Sequence, residues 1–317
     1  MFRIYRTEEN GKLVKQKKNK ILPNTWCSLI NPNEEELIKA STLLKLDYDL
    51  LNNCLDANER SRVEVGPSSI TLIINLPLLD DEGNFDTLPC GLILTAKNLV
   101  TICARENRVL NSFNRSTANT FDTKNRLNFF LNILYRSTQF YLRYLNIINK
   151  KTEDIEYALR KTTSNKELFW LMEIQKSLVY FTTALKDNHL ALLKLFRILK
   201  NENTSKLVKF GREDEELLDD VIIENKQAIE MVDMHRSILE GMMDGFASII
   251  SNNLNLVMKF LAAITIILSI PTMLASFWGM NVPVAFAGNP NGFWIVMGLS
   301  MVATIITIIF FRKKGMF

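Results

Sequence analysis

Residues Phe260 to Phe311 read FLAAITIILSIPTMLASFWGMNVPVAFAGNPNGFWIVMGLSMVATIITIIFF and contain no Asp, Glu, Lys or Arg. A transmembrane helix needs roughly 20 consecutive apolar residues, so this run of 52 residues can hold two spans and a short connection. Pro283, Pro290 and the glycines near them interrupt the helical pattern in the middle of the run. The sequence therefore predicts a helix from Met258 to Phe277, a loop, and a second helix from Phe293 to Phe311.

The charges that flank this run predict its orientation. Lys259 precedes the first span, Arg312, Lys313 and Lys314 follow the second, and the connecting loop has no Lys or Arg. Because Lys and Arg are enriched on the cytoplasmic side of membrane helices, we expect the N- and C-termini in the cytoplasm and the loop outside. The chain is then a multi-pass protein of the cell (inner or plasma) membrane, in contact with lipid.

One row of residues in the first span recurs at alternating steps of three and four, which places the row on one helix face. We call this row the seam; it comprises Asn255, Met258, Ala262, Thr265, Ser269, Thr272, Ser276 and Gly279. Most of these residues are small or hydroxylated, whereas the other faces are mainly large and apolar. Periodicity alone leaves two interpretations open: a close helix–helix contact, which small residues permit, or the wall of a water-filled path between several copies.

The residues before the membrane predict a mixed sheet followed by long helices. Strand-like runs and short helices alternate over roughly the first 120 residues, and from Lys124 the apolar spacing is helical. Between Glu213 and Phe277 the only proline is Pro271, so we expect one helix about 100 Å long at about 1.5 Å per residue. The predicted fold class is an α+β cytoplasmic domain with a long stalk helix, plus an all-α membrane part of two transmembrane helices.

Composition and motifs argue against several classes of function. The net charge of +4 is modest and gives no reason to expect nucleic-acid binding. The four cysteines show no CxxC spacing and are expected to be reduced and buried, and the two histidines lie on separate helical stretches. No nucleophile–base constellation or phosphate-binding loop is recognisable. The chain is therefore predicted not to be an enzyme and to need no organic cofactor.

The tripeptide Gly279-Met280-Asn281 follows Trp278 at the end of the first span. Together with two C-terminal spans, a long helix leading into the membrane and a basic tail, it resembles the CorA-type magnesium transporter family. The resemblance implies a homopentameric funnel in which the first membrane helix lines the pore and Gly-Met-Asn forms the outer mouth. It also implies Mg2+ influx down the electrochemical gradient, with Co2+ and Ni2+ as further candidate ions. Cytoplasmic Mg2+ then gates the channel, so Mg2+ is both the transported and the regulatory ion.

With this resemblance the chain is predicted to divide into seven segments. They are a cytoplasmic α/β domain (1–122), a cytoplasmic long-helix region (123–211), a stalk helix (212–257), a pore-lining transmembrane helix (258–277), an external loop with Gly-Met-Asn (278–292), a second transmembrane helix (293–311) and a basic cytoplasmic tail (312–317).

The outer mouth is predicted to be the ion-selective site, formed by Gly279, Met280 and Asn281. Mg2+ holds its water tightly and is usually bound through retained waters, so a ring of Asn281 amide oxygens suits the hydrated ion. The alternative is that Asn281 only ends the helix, with Gly279 as its C-terminal glycine. Residues 282–291 contain no acid, although many family members carry one there. Cation capture at the mouth then rests on Asn281 and backbone carbonyls.

The resemblance also assigns the seam and its neighbour Leu261 to the pore wall. The predicted lining residues are Asn255, Met258, Leu261, Ala262, Thr265, Ser269, Thr272 and Ser276. Met258 and Leu261 correspond to family residues that form a hydrophobic constriction, which closes a pore by excluding water. Ser269 stands where the family often has a further Met, so the upper part of the gate departs from the family pattern.

Four residues are candidates for a regulatory Mg2+ site between subunits. By spacing from Asn281, Asp220 corresponds to the family's stalk aspartate and Asp244 to a second acid nearer the membrane. Asn53 stands where the facing domain usually has an Asp, and Asp56 lies three residues later. The alternative for each acid is a solvated surface position.

Two other functions stay open. One is a zinc transporter on the same fold, although relatives in that branch tend to deviate from Gly-Met-Asn. The other is a membrane-tethered sensor or scaffold without a pore, which would need neither a polar seam nor an asparagine at the mouth.

Overall fold

The structure is a computed structural model that describes residues 1–16, 21–80, 82–161, 165–201, 207–285 and 289–315. The chain divides into two units, Met1–Gly241 and Met242–Phe317. Residues 286–288 of the predicted external loop and residues 316–317 of the predicted tail lie outside the described residues.

A seven-stranded sheet forms the centre of the first unit. Its strands are β1 (Phe2–Thr7), β2 (Leu13–Lys15), β3 (Trp26–Ile30), β4 (Arg62–Val65), β5 (Ser69–Leu79), β6 (Phe85–Thr95) and β7 (Leu99–Cys103). The spatial order is β2-β1-β3-β7-β6-β5-β4, and all neighbours are antiparallel except β3 and β7. The sheet is therefore mixed, as predicted. Strand β4 was not predicted, because only Val63 of its four residues is buried and the alternation is too short to stand out.

Short helices lie between β3 and β4 and after β7, and long helices form the rest of the chain. The helices are α1 (Glu34–Leu44), α2 (Tyr48–Asn53), α3 (Arg108–Asn111), a 3-10 helix (Arg115–Thr120), α4 (Arg126–Lys161), α5 (Asn165–Leu199), α6 (Arg212–Trp278) and α7 (Gly292–Lys313). The start of α1 follows the usual chemistry of a helix N-terminus: Asn33 accepts from the backbone N–H of Glu36 at 2.9 Å, and three acids occupy the first turn.

Both faces of the sheet carry an apolar core. On one face Leu37 of α1 and Leu51 of α2 cluster with strand residues such as Ile73 and Ile102. On the other face Trp26 clusters with the first turns of α4 and with the end of α5. This layering places α4 and α5 together on one side of the sheet, where they flank the first part of α6.

The close approach of α2 to the sheet depends on Gly91 in β6. A Cβ atom at this position would lie 2.4 Å from Cys54 Sγ and 2.8 Å from a methyl of Ile102, so no larger residue fits. All four cysteines are buried with free thiols, as predicted. Burial raises the pKa of the Cys27 and Cys54 thiols to about 12 in each case.

Helix α6 is continuous over 67 residues and contains Pro271, as the lack of other prolines predicted. In the first unit it buries one row of residues at alternating steps of three and four. That row is Leu218, Val221, Asn225, Ala228, Val232, His235 and Leu239. The side-chain amide of Asn225 in this row donates to the carbonyl of Leu185 in α5 at 3.1 Å. The stalk part of α6 therefore packs on its own chain with one face only.

The second unit contains the C-terminal part of α6 and the whole of α7. These are the two described helices that are long and apolar enough to cross a membrane, with mean hydropathies of 2.1 and 2.4 in their most apolar windows. Nearly all of their large apolar side chains are exposed, which is expected for helices that face lipid or further subunits. The mixed sheet, the long helix and the two candidate spans together confirm the predicted fold class.

Candidate ion pathway and sensing residues

The seam lies on the face of α6 that is left uncovered. Every seam residue from Asn255 to Gly279 is exposed in the single chain. A shallow groove of about 550 Å³ runs along it, and its lining includes Thr265, Ser269, Thr272 and Ser276. The structure thus brings the predicted polar residues of the membrane part onto one continuous open surface.

Three of the four hydroxyl groups of the seam share one hydrogen-bonding arrangement. Thr265 donates to the carbonyl of Leu261 at 2.8 Å, Ser269 to Thr265 at 2.7 Å, and Thr272 to Leu268 at 3.0 Å. Each hydroxyl therefore gives its proton to the helix backbone and keeps its oxygen lone pairs for another donor. A row of acceptor oxygens is suited to the water molecules around a cation, whose hydrogens point away from the ion.

The opposite face of α6 packs on α7. Ala263 is fully buried, and Leu274 and Trp278 line a cavity of about 220 Å³ together with Val296 and Leu299 of α7. At 3.6 residues per turn, Ala263 and its seam neighbour Thr265 are about 200° apart around the helix. Helix α7 therefore covers the side of α6 that is turned away from the seam. This relation favours a seam that faces other copies of the chain rather than its own second helix.

The Gly-Met-Asn segment follows directly on the last turn of α6. Gly279 N–H donates to the carbonyl of Ala275 at 2.9 Å, and a Cβ at this position would lie 3.3 Å from that same oxygen. Gly279 is not among the described glycines with a positive φ, so it is not a left-handed C-terminal glycine. The φ of Gly279 therefore does not explain the choice of glycine here, and both interpretations of Asn281, an ion site and a helix end, stay predictions.

Asn281 and Met280 are exposed at the end of this segment. The Asn281 side-chain amide makes no hydrogen bond within the described part of the chain, so its oxygen is available to a ligand or to another subunit. Trp278, by contrast, is half-buried against α7, and its indole N–H has no partner among the described residues. Trp278 thus packs against α7 at the start of the segment, whereas the Asn281 side chain is exposed.

The residues of the predicted constriction are exposed and apolar. Met258 and Leu261 are each 56 % exposed in the single chain, and Asn255 is exposed one turn before them. The seam as predicted from the sequence begins at Asn255. The alternating steps of three and four residues continue towards the N-terminus through Ser251 and Ser248 to Asp244, and all three residues are exposed. Asp244, predicted only as a sensor, is thus also in line with the seam. The signal that finds these positions is the unbroken spacing itself.

Asp220 lies on the exposed surface of α6 beside a carboxylate that is tied to α4. Glu224 accepts from the side-chain amide of Gln139 at 2.6 Å. The carboxylate of Glu224 is the largest cause of a raised pKa at Tyr135, and burial and the carboxylate of Asp220 add to it. Asp220 has no ion pair within the described residues, so its charge is open to a cation from outside the chain.

Two other predicted sensing residues, Asn53 and Asp56, lie on α2 and in the turn after it, whereas Asp220 lies on α6. Asn53 is the exposed last residue of α2, and Asp56 is exposed in the following turn, where its carboxylate accepts from the backbone N–H of Asn58 at 3.0 Å. Within the described residues, no three or more His, Cys, Asp or Glu side chains are placed to hold a metal ion. The sensor therefore stays a prediction that requires residues from two subunits.

Known proteins are similar to this chain over most of its length. The family model described as "CorA-like Mg2+ transporter protein" matches residues 24–313. The cobalt/magnesium transport protein CorA of Methanocaldococcus jannaschii is 28 % identical over 295 residues, which is 92 % of this chain and 90 % of that protein. The protein of the same name from Thermotoga maritima is 24 % identical over 306 residues, covering 92 % and 82 %.

Among solved structures, the complete CorA magnesium transporter of Methanocaldococcus jannaschii superposes with a TM-score of 0.86. The match has 26 % sequence identity and covers 100 % of this chain and 99 % of that one. The likeness therefore includes both the sheet-containing unit and the two C-terminal helices.

Proposed function

The chain belongs to the family of CorA-like Mg2+ transporter proteins, and we propose that it is a channel-like divalent cation transporter that carries Mg2+ into the cytoplasm. Membership of this family confirms the resemblance predicted from Gly279-Met280-Asn281 and the prediction that the chain is not an enzyme. The proposal includes a homopentamer, cytoplasmic termini and closure by cytoplasmic Mg2+. Co2+ is a further candidate ion, since the relatives are named as cobalt/magnesium transport proteins, and Ni2+ is another.

The observation that carries the proposal is the seam. Its oxygen acceptors form a row on the face of α6 that points away from α7, and the row ends at the free amide of Asn281. Five copies of this face around one axis enclose a narrow path lined by acceptors for the waters of a hydrated cation. An inside-negative membrane potential drives entry with about 2.3 kcal/mol per charge per 100 mV.

Flux into liposomes tests this function against its two alternatives. Purified full-length protein should pass Mg2+ into liposomes under an inside-negative potential, and Zn2+ more slowly. Faster flux of Zn2+ would favour the zinc transporter, and flux no higher than in protein-free liposomes would favour the scaffold. The same preparation gives the subunit number by mass measurement, which should be five.

We propose that the constriction closes when Mg2+ binds between Asp220 of one subunit and the region of Asn53 and Asp56 of its neighbour. Two carboxylates across an interface repel each other until a divalent cation bridges them. With Asn53 in place of one carboxylate the site has a lower charge, so closure should need more internal Mg2+ than in relatives with the full pair. Asp244 supplies a second acid nearer the membrane.

Asn53→Asp should restore tighter sensing. An added carboxylate contact should stabilise the Mg2+-bound state by about 1.5 kcal/mol, and 1.4 kcal/mol corresponds to a factor of ten in affinity. The Mg2+ concentration that protects half of the protein from protease should therefore fall roughly tenfold. Asp220→Ala should raise that concentration. Asn52→Asp is the matched control, because it adds the same charge at the adjacent exposed residue of α2. An equal shift in both asparagine variants, or no shift with Asn53→Asp, means that Asn53 does not face the metal.

A further inference from the structure

A cavity of about 260 Å³ in the first unit lies apart from the seam and from the sensing residues. It is lined by residues 83–85 at the start of β6, by the second half of α4 and by the first half of α5. Residues 83–85 approach α4 because Gly83 adopts a positive φ of 86° and its carbonyl accepts from Lys151 Nζ at 3.0 Å. The cavity is therefore built from three separate parts of the chain.

The floor of this cavity is mainly apolar, with Ser177 as a buried polar residue. Phe85, Ile155 and Ile174 are buried there, and Trp170, 42 % exposed, stands at the mouth. A cavity of about 150 Å³ lined by apolar residues holds one benzene molecule. The space here accommodates one aromatic ring together with a short side chain.

Both aromatic rings of the cavity already carry an ammonium group of this chain. Lys151 Nζ lies 5.2 Å from the centroid of Phe85, and Lys166 Nζ lies 4.9 Å from the ring of Trp170. Such distances are those of cation–π attraction. The walls of the cavity therefore stabilise alkylammonium groups.

Two carboxylates add the charge that such a group requires. Asp154 on α4 and Glu173 on α5 line the cavity and are exposed at its rim. Neither carboxylate forms an ion pair within the described residues. Lys151 lies one turn from Asp154, but the Lys151 ammonium donates to the carbonyl of Gly83 instead. The charged residues that line the cavity are these two carboxylates and the ammonium of Lys151, and Lys166 lies on the Trp170 ring without being part of the lining.

We propose that this cavity binds a small organic cation: a protonated primary amine on an apolar, preferably aromatic, body. The body lies on Phe85 and Ile174, and the ammonium group lies between the carboxylates of Asp154 and Glu173 beside Trp170. A hydrated metal ion suits the site less well than an organic cation, because the floor is mainly apolar and Ser177 is the buried polar residue of its lining. The site does not depend on the proposed transport function, so each can fail without the other.

The test is a ligand-observed NMR titration of the full-length protein in detergent. The probe is 2-phenylethylammonium, and its neutral analogue 2-phenylethanol has the same body without the charge. We expect a dissociation constant of about a millimolar for so small a ligand, and binding of the alcohol about tenfold weaker because it lacks the cation–π and carboxylate contacts.

Variants distinguish binding in the cavity from nonspecific binding elsewhere on the protein. The double variant Asp154→Asn, Glu173→Gln should weaken the amine about tenfold, whereas Asp187→Asn, a carboxylate of α5 that does not line the cavity, should leave it unchanged. Lys151→Gln should strengthen binding, because it removes the internal ammonium from Phe85 while its amide can still donate to Gly83. Equal binding of amine and alcohol, an equal loss in the double variant and Asp187→Asn, displacement by Mg2+ alone, or no saturable binding would each overturn the proposal.

Discussion

Asn281→Ala is expected to reduce Mg2+ uptake to the level of protein-free liposomes while the oligomer stays intact. The side chain is exposed and makes no hydrogen bond within the described part of the chain, so its removal costs no folding contact. Each lost amide removes about 1 kcal/mol of hydrogen bonding to the hydrated ion, and five copies together remove roughly 5 kcal/mol. That corresponds to more than a thousandfold loss of ion occupancy at the mouth.

Asn291→Ala is the matched control for this variant. Asn291 lies in the same segment between α6 and α7, is exposed, and makes no side-chain capping bond at the start of α7. Uptake by this variant should equal that of the wild type. Wild-type flux through a correctly assembled Asn281→Ala protein would show that the amide ring is not the ion-selective site.

Met258→Asp is expected to raise the basal leak of the closed channel. If Met258 and Leu261 close the pore by excluding water, their exposed apolar surfaces must meet around the axis, and a carboxylate there keeps the constriction wet. The leak should be measured as Mg2+ flux at internal Mg2+ high enough to close the wild type. Because a charge ring also attracts cations, the increase should be large and cation-selective.

Met258→Leu controls for the change of residue. It keeps an apolar side chain of similar volume, a substitution that proteins usually tolerate, and should leave the leak low. If Met258→Asp assembles normally and leaks no more than Met258→Leu, the gate lies elsewhere along the seam.

The membrane part was predictable because its signals are local. An uncharged run of 52 residues and one helical spacing fix two spans and a polar face. Which face α7 covers was not predictable, since that depends on the packing of Ala263 and Leu274 against a helix with little amphipathic pattern of its own.

In the first unit, the features that could not be predicted from the sequence depend on contacts between distant parts of the chain. Phe85 and Trp170 line one cavity only because a hairpin turn meets two helices far along the chain, and no spacing in the sequence records that meeting. The pairing of Asn53 with Asp220 comes from the resemblance alone. Among the described residues, no three or more His, Cys, Asp or Glu side chains are placed to hold a metal ion. A site shared between subunits leaves no complete pattern in one of them.

The central claim is that the face of α6 opposite α7 is the wall of a water-filled path. Thr265→Cys and Ile266→Cys test it directly, because the two residues are about 1.5 Å apart along the helix and about 100° apart around it. Both are exposed in the single chain, Ile266 by 45 %, and the four native cysteines are buried. With internal Mg2+ removed, a charged methanethiosulfonate reagent should react with Thr265→Cys and block Mg2+ flux, and should leave Ile266→Cys unaffected. Equal reaction at both positions, or reaction at Ile266→Cys alone, would contradict the account.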